Sequence, residues 1–288
     1  MTELASLRKL YPFESHFFKM KGLNYHYVDE GKGETIVMIH GNPSWSFMYR
    51  ELIKSLSKKY RVIAPDHLGF GLSDKPETFP YRLETHIDNL EAFLLSLNVK
   101  NITLMVHDWG GPIGLGFAIK HPQLIKRLII TNTAAFAMNV IPWRIAAGKI
   151  PWLGRKLIVN MNLFAKAAVK MTVEKPLSKE VKQGYLFPFQ KKSHRIAISR
   201  FVEDIPMDPE HPSFEVLLGI EHSLWMFKEK PVAIIWGMKD WCFSPTFYEK
   251  WVDLFPQAQL LPLKHAGHWL FEDAKDDIIP FIEHFMTD

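Results

Sequence analysis

The stretch Leu104-Met105-Val106-His107-Asp108-Trp109-Gly110-Gly111-Pro112-Ile113-Gly114 decides how the rest of the chain is read. An apolar run from Ile102 to Val106 has strand character and stops abruptly. One acid, an indole and two glycines follow, and a helical pattern opens at Pro112. A strand that turns sharply into a helix lifts the side chain at its corner above the carboxyl edge of a parallel sheet. Here that side chain is Asp108. A carboxylate is ionised near pH 7 and needs no base to become a nucleophile. It can displace a leaving group from saturated carbon, leaving an ester, or attack an acyl carbon to give an anhydride. The helix that follows aims its N-terminus at the same corner, which favours an anion. Taken alone, Asp108 also suits a plain helix N-cap, so its role rests on partners elsewhere in the chain.

Working outward, strands and helices alternate. Phe17 to Met20 and Leu23 to Val28 read as a hairpin joined by Lys21-Gly22. Thr35 to Ile39 is a short buried strand that ends in His40-Gly41-Asn42-Pro43. Ser44 is expected to cap a helix carrying Trp45, Met48, Leu52, Ile53 and Leu56. Arg61 to Ala64 and Arg127 to Thr131 are further strands. Leu83, Ile87, Leu90, Phe93, Leu94 and Leu97 mark an amphipathic helix. The pattern returns after residue 212 with a helix near Phe214 to Phe227, a strand Val232 to Trp236, a helix-and-strand unit to Leu263 and a last helix from Asp276. This spacing predicts an α/β fold with a mostly parallel, doubly wound sheet. From Ala134 to Pro212 the chain reads as helices broken by prolines, with no convincing strand. The expected organisation is therefore a core over 1–133, a helical cap insertion over 134–212 above the strand ends, and a second core part over 213–288.

Composition limits the rest. With 288 residues, 47% hydrophobic and 23% charged, the chain can build one large core. Its one cysteine, Cys242, rules out an internal disulfide and fits a reducing compartment, so a cytoplasmic location is expected. The first twelve residues lack an uninterrupted apolar stretch, so no signal peptide is expected, and no run reaches membrane-spanning length. The net charge of +4 is uneven: 13 Lys/Arg and 4 Asp/Glu fall between Val140 and Ile205, a local +9. The basic residues there do not interleave with aromatics in a nucleic-acid pattern. Leu153 to Lys175 reads as a basic amphipathic helix that would make peripheral contact with anionic lipid. A solvated face over a packed stripe fits the same pattern.

Asp108 needs a base, an orienting acid and hydrogen-bond donors. Asp240 follows the strand Val232 to Trp236, and His268 follows the next strand within His265-Ala266-Gly267-His268-Trp269. Nucleophile, acid and histidine thus occur in sequence, each just after a strand. His268 is expected to act as general base toward water, with Asp240 holding its tautomer; His265 is the rival base. The Asn42 amide and Trp109 indole N–H would bind a leaving group, and backbone N–H groups near His40–Asn42 and at Trp109 would form an oxyanion hole. The histidines match no metal-ligand spacing, and no cofactor is implied. The expected substrate is small and hydrophobic. Phe136, Ile141, Trp143, Leu163, Phe164, Phe187 and Phe189 are candidates to line an alkyl channel, and insertion core suits each of them equally.

These motifs resemble the α/β-hydrolase superfamily over the whole chain. HGNPSWSFMYR, DHLGFGLSDKP, VHDWGG and the AGH histidine look like the haloalkane dehalogenase group, and Asp240 with Asn42 and Trp109 is similar to its subfamily III branch. Asn132-Thr133-Ala134-Ala135-Phe136 and Arg200-Phe201-Val202-Glu203-Asp204-Ile205-Pro206 look like the β-lactone decarboxylases of bacterial olefin biosynthesis. These two stretches carry no obvious chemistry and mark lineage. The resemblance implies conversion of a cis-3,4-dialkyl-oxetan-2-one to a cis-alkene and CO2, with halide release from a haloalkane as the alternative. It also implies association with other olefin-pathway enzymes. Attack at the ring carbon and attack at the carbonyl both remain open. An epoxide hydrolase fits less well, because the insertion offers only Tyr185 where that group usually presents two tyrosines. A non-catalytic binding protein fits poorly, since every triad position holds a competent residue.

Overall fold

The computed structural model describes residues 3–138 and 141–287. Its strands are β1 (His16–Met20), β2 (Leu23–Glu30), β3 (Thr35–Ile39), β4 (Arg61–Pro65), β5 (Ile102–His107), β6 (Ile125–Thr131), β7 (Val232–Gly237) and β8 (Gln259–Leu263). They form one sheet in the order β1-β2-β4-β3-β5-β6-β7-β8. The β1–β2 and β2–β4 pairs are antiparallel and the remaining pairs parallel. At the β1–β2 turn, Lys21 and Gly22 both have positive φ, as a two-residue hairpin on right-twisted strands requires.

The central strands are buried end to end: TIVMI, ITLMVH and VAIIWG contain no exposed residue. Such runs need cover on both faces. Side chains alternate along a strand, so Val37 and Ile39 enter one core with Leu104, Val106, Ile130 and Ile234. The helices Leu83–Ser96, Gly110–Lys120 and Pro245–Leu254 close that side. Ile36 and Met38 enter the opposite core with Met105, Ile129 and Ile235, closed by Arg50–Leu56 and Lys275–Thr287.

Between β6 and β7 the described residues form helices and turns, with no strand. They include Trp143–Lys149, Pro151–Gly154, a π-helical turn Arg155–Asn160, Leu163–Met171, Lys179–Leu186 and Ile196–Glu203. Asp204 ties the last of these to the core. Its buried carboxylate accepts hydrogen bonds from the Leu83 N–H at 2.8 Å, Arg82 Nη1 at 2.8 Å and Ser213 Oγ at 2.8 Å.

Two local expectations give way. Ser44 does not cap a helix: its Oγ donates to the Gly41 carbonyl at 3.1 Å. A 3₁₀ turn, Ser46–Tyr49, precedes the α-helix Arg50–Leu56, and the Ser46 N–H donates to Asp66 Oδ1 at 2.8 Å. The acceptor that begins this element thus comes from the end of β4. The basic stretch 153–175 is not one helix. Asn162, at φ 56°, separates the π-helical turn from Leu163–Met171. Asparagine is one of the few side chains that tolerates the left-handed region, so the break sits where the chain can take it.

Candidate active site

The corner after β5 is built by constraint. Asp108 has φ +51°, a conformation tolerated by aspartate and adopted singly. Its N–H donates to the Asn132 carbonyl at 3.1 Å, and its carbonyl accepts from the Gly111 N–H at 2.9 Å and Thr133 Oγ1 at 2.5 Å. Two glycines allow the close approach. A Cβ at Gly110 would lie 2.0 Å from the Ile39 carbonyl oxygen, and one at Gly41 would lie 2.0 Å from Asp108 Oδ1. Asp108 Oδ1 accepts the Asn42 N–H at 2.6 Å, and the Trp109 N–H also bonds the carboxylate. The two amides expected to form an oxyanion hole therefore already hold the Asp108 carboxylate. If Asp108 is esterified at Oδ2, the Asn42 N–H stays on what becomes the ester carbonyl, ready for a tetrahedral oxyanion.

The other oxygen, Oδ2, lies 3.7 Å from His268 Nε2. His268 Nδ1 donates to Asp240 Oδ2 at 2.7 Å, so Nε2 is the atom turned toward Asp108. Asp240 is held in turn: the Cys242 N–H donates to Oδ1 at 2.6 Å and Asn132 Nδ2 donates to Oδ2 at 2.8 Å. Burial pushes the His268 imidazole toward neutrality, but the adjacent Asp240 and Asp108 carboxylates outweigh it, and its pKa is raised. Burial also raises the pKa of Asp108, against the opposing pull of His268 and the two backbone N–H groups. His107 and Phe243 pack against the His268 ring, with centroids at 4.6 and 5.6 Å. The rival base, His265, is half exposed and lies 3.2 Å from Asp277 Oδ2, away from Asp108.

The structure adds Asn132, which in the sequence marks only lineage, within the stretch Asn132–Phe136. Its side chain donates to Asp240 and to the Gly237 carbonyl and accepts the Gly237 N–H at 2.8 Å, while its backbone carbonyl holds the Asp108 N–H. One residue at the end of β6 thus spans Asp108 and Asp240. Its position directly after the strand next to β5 was the available signal.

Asn42 and Trp109 both face the cavity. One N–H of the Asn42 amide donates to the Ile198 carbonyl at 3.2 Å, which orients the group and leaves its second N–H for a ligand. The Trp109 ring packs edge-on to Phe201 at 5.1 Å, and its Nε1 has no acceptor among the described residues.

The cavity encloses about 310 Å³ and is lined mainly by apolar side chains. Asp108, His268, Asn42 and Trp109 lie on its wall. Of the cap residues expected there, Phe136, Ile141, Leu163 and Phe164 line it. Trp143, Phe187 and Phe189 do not. Trp143 is 73% exposed, Phe187 packs into the core on the far side of the sheet, and Phe189 is buried against Phe70. Helical periodicity marks an apolar face but not which neighbour it meets, so these three could not be separated from the lining residues. Val202, Leu217, Phe243 and Phe247 also line it, and the sequence gives no sign of them.

An eight-stranded, mostly parallel sheet with an acid at the β5 corner, an acid after β7 and a histidine after β8 is the α/β-hydrolase arrangement. A sequence profile of that fold matches residues 34–173 and 178–275, and the chain belongs to the α/β-hydrolase fold family. Its curated relatives are enzymes. The chain is 44% identical to cis-3-alkyl-4-alkyloxetan-2-one decarboxylase of Shewanella oneidensis, over 98% of this chain and 91% of that one. It is 38% identical to the enzyme of the same name from Xanthomonas campestris, over 92% and 93% of the two chains. With haloalkane dehalogenase 2 of Mycobacterium tuberculosis the identity is 31%, over 96% of each. A crystal structure of a haloalkane dehalogenase DatA mutant from Agrobacterium tumefaciens superposes with a TM-score of 0.87 at 22% identity, covering 99% of both chains.

Proposed function

We propose that this chain is a cis-3-alkyl-4-alkyloxetan-2-one decarboxylase, converting a β-lactone to a cis-alkene and CO2. The supporting observation is the Asp108 carboxylate, anchored by two amides and facing an apolar cavity, in a chain whose identity is higher to decarboxylases than to the dehalogenase. Asp108 attacks the ring carbon that bears the ring oxygen. The C–O bond breaks, an alkyl ester forms on Asp108, and ring strain drives the step. The Trp109 Nε1–H and the free Asn42 N–H receive the released carboxylate. Loss of CO2 then breaks its bond to the neighbouring carbon. That electron pair forms the double bond as the ester C–O bond breaks and returns the Asp108 carboxylate. Attack inverts the carbon and leaves the ester oxygen anti to the departing CO2. Anti elimination therefore keeps both alkyl groups on one side, and the alkene is cis. No water is consumed. His268, with its raised proton affinity, holds positive charge beside the regenerated carboxylate. A cytoplasmic location and the division into core (1–133), cap (134–212) and core (213–288) form part of this reading.

Haloalkane hydrolysis is a second reading, favoured by the free Trp109 Nε1 and by His268 Nε2 being near enough to Asp108 to deliver water to an ester. Parallel assays separate the two: a cis-dialkyl β-lactone scored for alkene, and 1,2-dibromoethane scored for bromide. Turnover in H₂¹⁸O followed by mass analysis adds a second criterion. Ester hydrolysis places ¹⁸O in Asp108, whereas the elimination does not. Fast bromide release with ¹⁸O incorporation and no alkene would reverse the ranking.

A further inference from the structure

From Pro142 to Val173 the chain contains six basic residues and no acid. Arg144, Arg155, Lys156, Lys166 and Lys170 are exposed and form no ion pair with a described residue; the first acid beyond, Glu174, is taken by Lys239. The same stretch exposes large apolar side chains: Trp143 at 73%, Trp152 at 72%, and Ile150, Met161, Leu163 and Met171 at more than a third. On the helix Leu163–Met171 both kinds share one side, since Leu163, Lys166, Lys170 and Met171 are its exposed positions.

This surface is continuous with the mouth of the cavity. Leu163, Met171 and Arg144 are exposed and also line the cavity. The Arg144 guanidinium lies 5.2 Å from the Trp143 ring and 5.6 Å from the Trp241 ring, and Trp241 Nε1 donates to the Met171 carbonyl at 2.8 Å. Water should not favour this combination, but the headgroup region of a bilayer does. Indoles settle there, aliphatic tips reach the acyl chains, and cations meet lipid phosphates. The exposed isoleucine, leucine and methionines have no counterpart on a nucleic acid, and the absence of acids disfavours a basic protein partner.

We infer that the cap face over 143–171 docks on an anionic phospholipid surface and opens the cavity toward the bilayer, so that an apolar substrate enters from lipid. This inference holds whichever reaction Asp108 performs. Full-length protein should co-sediment with phosphatidylcholine vesicles containing phosphatidylglycerol. It should release in high salt and bind phosphatidylcholine alone much more weakly. Lys166→Glu with Lys170→Glu, and separately Trp143→Ser with Trp152→Ser, should each lower partitioning by about tenfold or more. Circular dichroism melts should show that both proteins remain folded. Asp108→Asn should bind lipid unchanged, so docking is scored apart from chemistry. Absence of binding to the anionic vesicles would overturn the inference, as would binding that ignores both double variants. So would a stable dimer in light scattering that the tryptophan variant dissociates, because a second copy would then cover this face.

Discussion

The proposed reacting unit is a carboxylate and an imidazole 3.7 Å apart, both buried and each shifting the other's proton affinity. Asp108→Ala should abolish turnover of a β-lactone and of a haloalkane alike. His268→Phe should discriminate between them. With 1,2-dibromoethane it should trap the alkyl ester, visible as added mass on the intact protein, because general-base help worth about 10²–10⁴-fold is lost. Alkene formation needs no water and should survive at reduced rate. The pH profiles should diverge for the same reason. Haloalkane turnover requires neutral His268, whose pKa is raised, so its acid limb should lie above the ordinary imidazole value. Alkene formation requires only ionised Asp108, so its acid limb should fall at lower pH, though above the usual carboxylate range. Asn132→Ala removes the 2.8 Å bond to Asp240. It also removes both side-chain bonds to Gly237, and it should slow either reaction by about tenfold or more, since the Asp240 bond is one to a charged group.

At the scale of elements, the corner after β5 works because β3 and the helix Gly110–Lys120 nearly touch. Gly110→Ala would place a methyl 2.0 Å from the backbone oxygen of Ile39, which no rotamer can relieve. It should destabilise by about 1–3 kcal/mol or more, read from a urea midpoint, and depress activity by displacing Asp108. Asp204→Ala would strand the Leu83 N–H and free Ser213. The expected loss is about 1–2 kcal/mol, with the greater effect on substrate KM, since this carboxylate ties the helix Ile196–Glu203, whose Val202 lines the cavity, to Leu83 and Ser213. The Arg200–Pro206 stretch, a lineage marker in the sequence, thus has a mechanical role: Phe201 seats the Trp109 ring and Asp204 anchors the helix that carries it.

Across the whole molecule, buried histidines set the acid limit of stability. Burial lowers the pKa of His40, His67 and His107, and takes His86, with both ring nitrogens unpartnered, to about 3. The unfolded chain titrates these groups near 6.5, so it binds more protons than the native state between the two values. Stability should therefore be full above about pH 6.5 and fall as the pH drops toward 3, by up to about 1.4 kcal/mol per histidine per pH unit. Asp66, held at about 2 despite burial by the coulombic pull and hydrogen bond of His26, adds a further loss once the pH falls below the ordinary carboxylate value. Urea midpoints should hold from pH 7.5 to about pH 6.5 and decline from there to pH 5; a flat profile over the lower range would refute the account.

The sequence alone determined the alternating framework, the corner at Asp108, the acid at Asp240 and the histidine at His268. Each follows from local physics: burial on two faces demands apolar runs, glycines permit close approach, and strand ends place side chains on one edge. Only the tertiary structure decided which apolar cap residues face the cavity, that the basic stretch 153–175 breaks at Asn162, that Asp66 rather than Ser44 begins the Ser46 turn, and that Asn132 spans Asp108 and Asp240. Those outcomes depend on which surface meets which across dozens of residues, and helical or strand periodicity records only that a face is buried, not its partner.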